Sequence, residues 1–281
     1  LPRHQVNPEV DPDSLHILRK IADHGGHIVF LTGAGISAES GIPTFRGPEG
    51  FWTVGSRVYQ PEELATWSTF SKQPQLVWPW YLWRRQTCRS AAPNPAHFAL
   101  AEIEAHLGHR CTLVTQNVDG LHLRAGSTSE HTYEIHGNID YFRCSQECHP
   151  RLPTPDLPHV DEQAVFMDEW LSALHCPHCD SWMRPHVLWF DERYDEDNYR
   201  IDSTVHAMSK ADALVVVGTT GETSLPAHML RMAMMRGIPV YDINPDPNPF
   251  AQAANQTAGT WLQTTATEGM RHIKDVIDSA S

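Results

Sequence analysis

The feature that most constrains this chain is an apolar run that ends directly in a glycine-rich turn. Ile28 to Leu31 has the character of a buried strand, and Gly-Ala-Gly-Ile-Ser-Ala follows at residues 33–38. This is the G-x-G-x-x-A spacing of a strand-turn-helix unit that binds a dinucleotide. Gly33 permits a tight turn, Gly35 lets backbone N–H groups approach a pyrophosphate, and Ala38 is small enough for close packing. A plain strand-to-loop connection is the alternative, which the glycine spacing alone leaves open.

The helix after this turn is predicted to be short. A dinucleotide-binding helix usually continues for about three turns. Here Gly41 and Pro43 follow almost at once. The chain is therefore expected to leave the helix early and to form a loop over the phosphate site.

The string from Gly33 to Arg46, G-A-G-I-S-x-x-S-G-I-P-x-F-R, resembles the signature of the sirtuins, the NAD-dependent protein deacylases. The resemblance covers nearly everything from about residue 15 to 275. The other matching parts follow in chain order: Thr115 to His122 (TQNVDGLH), Glu134 to Gly137 (EIHG), two cysteine pairs, Arg184 to Phe190 (RPHVLWF) and Gly218 to Thr220 (GTT). Several spaced motifs in the right order are far more specific than any one of them.

This resemblance implies that NAD binds as a co-substrate. Asn117 and Asp119 would line the nicotinamide pocket, Gln116 would touch a ribose, and Asn244 would contact the adenosine ribose. Without the resemblance, Asn117 and Asp119 are ordinary turn formers at the end of a buried strand. The complete implied set is Gly33, Ala34, Gly35, Ser37, Ile42, Phe45, Arg46, Gln116, Asn117, Asp119, Gly218, Thr219, Thr220 and Asn244.

The same resemblance assigns His136 as the general base. It is one of 18 histidines, and only its motif singles it out. Imidazole suits the task because its unperturbed pKa lies near operating pH. The implied products are nicotinamide, free lysine and O-acyl-ADP-ribose.

Tyr81 and Arg84 indicate which acyl group is removed. They lie three residues apart, on one face of a predicted helix. Tyr-x-x-Arg at this place is similar to the pair that marks the desuccinylase and demalonylase subgroup of sirtuins. A guanidinium and a phenol can bind an acyl carboxylate, and Ala65 is small enough to leave room for it. The alternative is a surface arginine stacked on a ring, in which case a simple acetyl group would be preferred.

Val187, Trp189 and Phe190 are the predicted peptide-binding residues. In sirtuins the matching stretch pairs with the substrate peptide as an added strand, so backbone hydrogen bonds supply affinity. The family usually has Gly where this chain has Asp191. That departure changes the groove and adds negative charge beside a lysine-bearing substrate.

Four of the six cysteines form two close pairs, Cys144-x3-Cys148 and Cys176-x2-Cys179, with 27 residues between the pairs. Four thiolates from two short turns suit tetrahedral, closed coordination of zinc and leave no position for a reacting water. We therefore expect a structural Zn²⁺ site.

Composition limits the partners. The 21 basic and 34 acidic residues give a formal charge of −13, which argues against general nucleic-acid binding because DNA and RNA backbones are bound through clustered Lys and Arg. No apolar run approaches the roughly 20 residues that span a bilayer. The sequence therefore predicts a cytoplasmic enzyme that acts on acyl-lysine proteins or peptides, with no nucleic-acid and no membrane partner. The oligomeric state stays open, and a monomer is compatible with the sequence.

Alternating β and α segments predict an α/β fold, a Rossmann-like doubly wound parallel sheet with a small zinc-binding module and a helical excursion. The NAD-binding domain is assigned to residues 1–46, 96–139 and 186–281. Residues 47–95 form the helical excursion with the cofactor loop, and residues 140–185 form the zinc-binding module. No strand is expected in the excursion, and Glu196 to Lys210 is expected to be one helix.

Two other functions remain. An NADase or mono-ADP-ribosyltransferase could use the same scaffold, because both reactions begin with loss of nicotinamide. A non-enzymatic zinc-ribbon module could use the cysteine pairs for protein or nucleic-acid contacts. The negative charge and the His136 motif argue against that module.

Overall fold

The computed structural model describes residues 12–43, 52–54, 57–59, 61–157, 160–161 and 165–279. The strands are β1 (Ile28–Thr32), β2 (Trp52–Val54), β3 (Arg57–Tyr59), β4 (Cys111–Thr115), β5 (Thr132–Glu134), β6 (Gly137–Cys144), β7 (Leu152–Pro153), β8 (Met183–Val187), β9 (Ala213–Val217), β10 (Val240–Ile243) and β11 (Thr260–Leu262). The helices are α1 (His16–Asp23), α2 (Ala34–Ala38), α3 (Pro61–Leu64), α4 (Trp67–Phe70), α5 (Pro74–Ser90), α6 (Pro95–Leu107), α7 (Leu121–Ala125), α8 (Leu171–Leu174), α9 (Glu196–Tyr199), α10 (Ile201–Lys210), α11 (Ser224–Arg236), α12 (Pro249–Ala254) and α13 (Ala266–Asp278). Phe45 and Arg46 lie outside the described residues.

Six of these strands form a parallel sheet in the order β11-β10-β9-β1-β4-β5. Every residue of β1, β4 and β9 is buried, because helices cover both faces of a parallel sheet. The carboxyl ends of β1, β4 and β9 lie at one edge because these strands are parallel, and the strand order reverses at β1. Open α/β sheets bind their ligands at such a point. The predicted fold class is confirmed.

Each face of this sheet has its own apolar core. Ile28 and Phe30 of β1 pack in a cluster with residues of α1, α6 and α13. Val29 and Leu31 pack on the opposite face with residues of α10, α11 and α12. Successive strand side chains point to opposite faces, so one apolar strand serves both cores.

A second, antiparallel sheet has the strand order β7-β6-β8. Cys144 is the last residue of β6, which places the first cysteine pair at the end of this sheet. Helix α5 packs against the sheet through Trp78, whose Nε1 donates to the Met183 carbonyl at 3.0 Å. The end of this small sheet therefore carries Cys144, and the sulfur atoms of the other three cysteines lie within 4.8 Å of its sulfur. The domain boundaries given above stay a prediction.

Two local predictions were wrong. The excursion contains an antiparallel hairpin, β2 with β3, whose strands of three residues are too short to show an alternating pattern. The helix predicted from Glu196 to Lys210 is broken at Arg200, which has a left-handed φ of 55°. Asp195 caps the first piece by accepting the Asn198 N–H at 2.7 Å. Neither Gly nor Pro marks this break in the sequence.

No helix within the described residues is both long enough and apolar enough to cross a membrane.

Candidate active site and metal site

The glycine-rich turn packs directly against the loop that follows β9. The Gly33 N–H donates to the Val217 carbonyl at 3.0 Å, and the Gly35 N–H donates to the Gly218 carbonyl at 2.8 Å. A Cβ at Gly35 would lie 2.7 Å from the Gly218 Cα, which is too close for any other residue. Besides the predicted approach of a cofactor, these glycines therefore also permit the contact between the two loops. Helix α2 is only five residues long, as predicted, and Gly41 follows with a φ of 79°.

A buried polar cluster lies where β1 and β4 end. The Asn117 Nδ2 donates to the Gly33 carbonyl at 3.0 Å and to the Ser37 Oγ at 3.1 Å. Ser37 in turn donates to the Asp119 carboxylate at 2.7 Å, and the Leu121 N–H donates to the other carboxylate oxygen at 2.9 Å. Burial raises the pKa of Asp119, although these two donors oppose the rise. Such a fixed, buried acceptor can recognise the N–H groups of a carboxamide.

His136 lies just after β5, and both of its ring nitrogens have a hydrogen-bond partner. Its Nδ1 is 3.0 Å from the Gln116 carbonyl oxygen, and its Nε2 is 2.9 Å from the Tyr194 hydroxyl. A carbonyl only accepts, so Nδ1 carries the proton, and Nε2 of the neutral ring is then the basic atom. Burial lowers the pKa of His136 to about 4, while the bond to Gln116 acts in the opposite direction. The imidazole is therefore a neutral base at neutral pH.

Side chains of Gln116 and Asn244 link the loops that follow three strands. Its Nε2 donates to the Thr219 Oγ1 at 2.8 Å, and its Oε1 accepts from the Thr223 Oγ1 at 3.1 Å. The Asn244 Nδ2 donates to the Thr219 carbonyl at 3.2 Å. The loops after β4, β9 and β10 are thereby held as one surface.

The structure brings the predicted NAD residues to a single edge. They follow β1, β4, β9 and β10, whose carboxyl ends form that edge, and the described ones are Gly33, Ala34, Gly35, Ser37, Ile42, Gln116, Asn117, Asp119, Gly218, Thr219, Thr220 and Asn244. His136 follows β5 on the same sheet. The roles of these residues stay predictions.

Two of the predicted acyl residues, Tyr81 and Ala65, contact the predicted peptide-binding residues. The Trp189 Nε1 donates to the Tyr81 hydroxyl at 2.7 Å, and the Phe190 N–H donates to the Ala65 carbonyl at 3.0 Å. Arg84 is only 6% exposed, so it is not the surface arginine of the alternative interpretation. Its Nη2 donates to the Pro43 carbonyl at 3.2 Å, which connects it with the loop after α2.

The ends of the predicted peptide strand differ in exposure. Val187 is buried at the end of β8 and lies opposite Gly137 of β6. Phe190 is 60% exposed. An exposed ring beside a strand end is available to a peptide.

Sequence reasoning missed Tyr194 and Thr223. Tyr194 contacts the ring of His136, and Thr223 contacts the Gln116 side chain. Neither residue belongs to a motif named above, because both contacts join segments that are distant in the chain.

The four cysteines form the predicted metal site. Their sulfur atoms all lie within 4.8 Å of one another, and Cys148 is 3.4 Å from Cys144 and 3.5 Å from Cys179. A zinc ion at roughly 2.3 Å from each sulfur in a tetrahedron would hold the sulfurs roughly 3.8 Å apart. The Gln146 and His178 N–H groups donate to cysteine sulfurs at 3.3 and 3.4 Å, which favours thiolates. The donor set fits a closed, structural zinc site.

Known proteins resemble this chain along most of its length. Residues 33–224 match the Sir2 family. The chain is 38% identical over 271 residues to an NAD-dependent protein deacylase of Leptospira interrogans, covering 94% of this chain and 98% of the relative. It is 40% identical over 240 residues to the mitochondrial NAD-dependent protein deacylase sirtuin-5 of Danio rerio, covering 80% and 76%. The crystal structure of a Sir2 homolog–NAD complex is 34% identical, covers 99% of this chain and 98% of that one, and has a TM-score of 0.77.

Proposed function

Because the chain belongs to the Sir2 family, we propose that its site transfers an acyl group from lysine to the ADP-ribose part of NAD and favours acyl groups that end in a carboxylate. The chain is an NAD-dependent protein deacylase, like its relatives of similar length. The observation that carries the proposal is the neutral His136, held through Nδ1 by Gln116 at the edge where the predicted NAD residues gather.

The residues at that edge fit NAD. Asp119 is a buried carboxylate that two donors already orient, and Asn117 is bonded to the glycine-rich turn, so both can hold a nicotinamide carboxamide. The loops at residues 33–35 and 218–220 would hold the phosphates, and Asn244 the adenosine ribose. When bound, NAD supplies a ribose carbon that can accept the acyl oxygen as nicotinamide leaves.

His136 supplies the proton transfer. Its Nε2 takes the proton of a ribose hydroxyl, which allows the acyl group to move to the ribose and the lysine amine to leave. Water completes the balance, so acyl-lysine, NAD and water give lysine, nicotinamide and O-acyl-ADP-ribose. The lowered pKa keeps Nε2 unprotonated at neutral pH, and it also makes the imidazole a weaker base than its unperturbed pKa would give.

Arg84 supports the preference for an acyl carboxylate. Its guanidinium is buried in the segment that also holds Tyr81 and Ala65, both buried. In such a setting a guanidinium gains more from an anionic partner than in water, and a carboxylate matches its paired donors. Succinyl and malonyl groups carry that carboxylate, whereas acetyl does not.

The test is NAD-dependent turnover of three matched peptides, which carry acetyl-lysine, succinyl-lysine or unmodified lysine. We expect succinyl preference in the wild type, its loss in Arg84→Met, and no turnover in His136→Ala. Arg89→Met is the matched control, because Arg89 lies on the same helix but pairs with Asp156 at the surface. It should keep the wild-type preference.

Two results would contradict the proposal. Nicotinamide release that does not depend on an acyl peptide would indicate an NADase instead. Acetyl preference unchanged by Arg84→Met would remove the carboxylate assignment and leave the deacylase.

Acyl-lysine proteins or peptides are the proposed substrates. The absence of nucleic-acid and membrane partners, the cytoplasmic location and the compatibility with a monomer stay predictions from the sequence.

A further inference from the structure

We propose that Tyr194 is a positioning residue for His136: its hydroxyl donates to Nε2, holds the imidazole in the Nδ1–H tautomer, and gives up this place to a ribose hydroxyl when the co-substrate binds. The inference rests on the proposed role of His136 as the base. It goes beyond that role because it assigns two states to Nε2, one bonded to Tyr194 before the co-substrate binds and one bonded to a ribose hydroxyl afterwards.

The direction of the hydrogen bond follows from the geometry. The Gln116 carbonyl, 3.0 Å from Nδ1, can only accept, so the ring proton is on Nδ1. Nε2 of the neutral ring can only accept, so the Tyr194 hydroxyl at 2.9 Å is the donor. The two contacts lie on opposite sides of the imidazole, and together they fix its rotation and its tautomer.

The Tyr194 hydroxyl is itself anchored at the start of α11. The Ser224 hydroxyl and the Leu225 N–H donate to its oxygen, while burial raises its pKa. Thr223 donates to the Gln116 side chain at 3.1 Å. Gln116 therefore touches His136 with its carbonyl and Thr223 with its side chain, and Tyr194 closes the ring of contacts.

Tyr194 competes with the co-substrate for Nε2 of His136. Nε2 is the atom that must take the ribose proton, and its single lone pair accepts one well-directed hydrogen bond. Tyr194 and a ribose hydroxyl therefore cannot both occupy it. The Thr223 Oγ1, whose proton is bound to Gln116, can accept the phenol proton once Nε2 is released.

The hydrogen bond from Tyr194 also disfavours protonation of His136. A donor to the neutral imidazole favours the neutral form and disfavours the protonated one. Among the described residues, burial and the Gln116 bond set the pKa of His136, no charged side chain contributes to it, and Tyr194 is the titratable group that touches the ring. Removing the phenol hydroxyl should therefore raise that pKa.

The test is imidazole ¹⁵N NMR of the full chain, with the His136 signals identified by their loss in His136→Ala. In the wild type we expect the Nδ1–H tautomer and a pKa well below 6.5. Tyr194→Phe should move the pKa measurably upward, while the Gln116 carbonyl keeps the proton on Nδ1. Tyr133→Phe is the control, because Tyr133 packs against the same apolar cluster and should leave both readouts unchanged. Circular dichroism checks that each variant is folded.

A second arm tests displacement with ADP-ribose as the probe. At saturation the wild type and Tyr194→Phe should show the same His136 pKa, because the phenol no longer occupies Nε2. A difference that persists would overturn the displacement. An Nε2–H tautomer in the wild type, or a Tyr194→Phe pKa equal to that of the wild type, would overturn the positioning role.

These readouts do not require turnover. A chain inactive on every acyl peptide would contradict the proposed function, and the NMR result would still decide the role of Tyr194.

Discussion

The carboxylate of Asp191 accepts the backbone N–H of Trp67 at 2.7 Å. Its second oxygen accepts the Ser68 N–H at 2.9 Å, so Asp191 caps the first turn of α4 from another segment. Sirtuins usually have Gly at this place, and the sequence alone placed the extra charge beside the substrate lysine. In the structure the charge is used to tie the end of the predicted peptide strand to residues 65–68.

Asp191→Gly should therefore destabilise the protein, although it restores the residue usual in the family. Loss of a capping acceptor costs about 1 kcal/mol, and the loosened segment should raise the KM for an acyl peptide. Chemical denaturation and peptide kinetics measure the two effects. Asp191→Asn keeps one acceptor and should give an intermediate result. Wild-type stability in Asp191→Gly would contradict the capping role.

The activity should decline at a lower pH than it would if the base were an exposed histidine. His136 must be neutral to act, and burial lowers its pKa to about 4. Protonation of the base should therefore limit kcat/KM only as the pH falls toward about 4, and this group should cause no decline through 6.5, because kcat/KM reports the groups of the free enzyme. The measurement is kcat/KM from pH 8 to 4.5, with circular dichroism at each pH to confirm folding. A loss of kcat/KM with a midpoint near 6.5 in a folded protein that His136 alone accounts for would contradict this.

Zinc should bind in a ratio of one ion per four-cysteine cluster and support folding without taking part in the reaction. Cys179→Ala should lose most of the bound zinc and lower the melting temperature. Cys88→Ala is the matched control, because Cys88 is a buried thiol outside the cluster. Metal analysis and thermal denaturation provide the readouts. Full zinc content in Cys179→Ala would show that the cluster is not the site.

Asp242→Asn should stabilise the protein increasingly as the pH rises. Asp242 is fully buried on β10; one oxygen accepts from Asn248 at 2.7 Å, and the other has no partner among the described residues. Burial raises the pKa of Asp242 from 3.8 to about 7. The protonated acid is favoured in the folded state, so the wild type loses stability as the pH rises from about 4 to 7, whereas Asn does not titrate.

Relative to the wild type, the free energy of unfolding of Asp242→Asn should increase by about 1.4 kcal/mol per pH unit between pH about 4 and 7. Above that interval the difference should not change further. Urea denaturation of both proteins at pH 5, 6, 7 and 8 measures it. A difference in unfolding free energy that is independent of pH would refute the raised pKa.

Much of the fold was predictable because its signals are local. Strands β1, β4 and β9 are recognisable in the sequence as continuous apolar runs, because helices cover both faces of a parallel sheet. Glycine ends α2 early, and the cysteine spacing predicts a metal cluster without knowledge of the rest of the chain. The sequence did not predict the hairpin of β2 and β3 or the break at Arg200, because short strands and a left-handed arginine leave no periodic signal.

By itself, the sequence determined the residue types, their spacing and the order of the motifs, and these identify the fold class, the cysteine cluster and His136 as a candidate base. Only the tertiary structure decided how those residues behave. Tyr194 reaches His136 across 58 positions of the chain, and Asp191 reaches Trp67 across 124. The physical reason is that a pKa, a tautomer and a capping contact depend on burial and on distances between remote segments, which are set only when the chain packs.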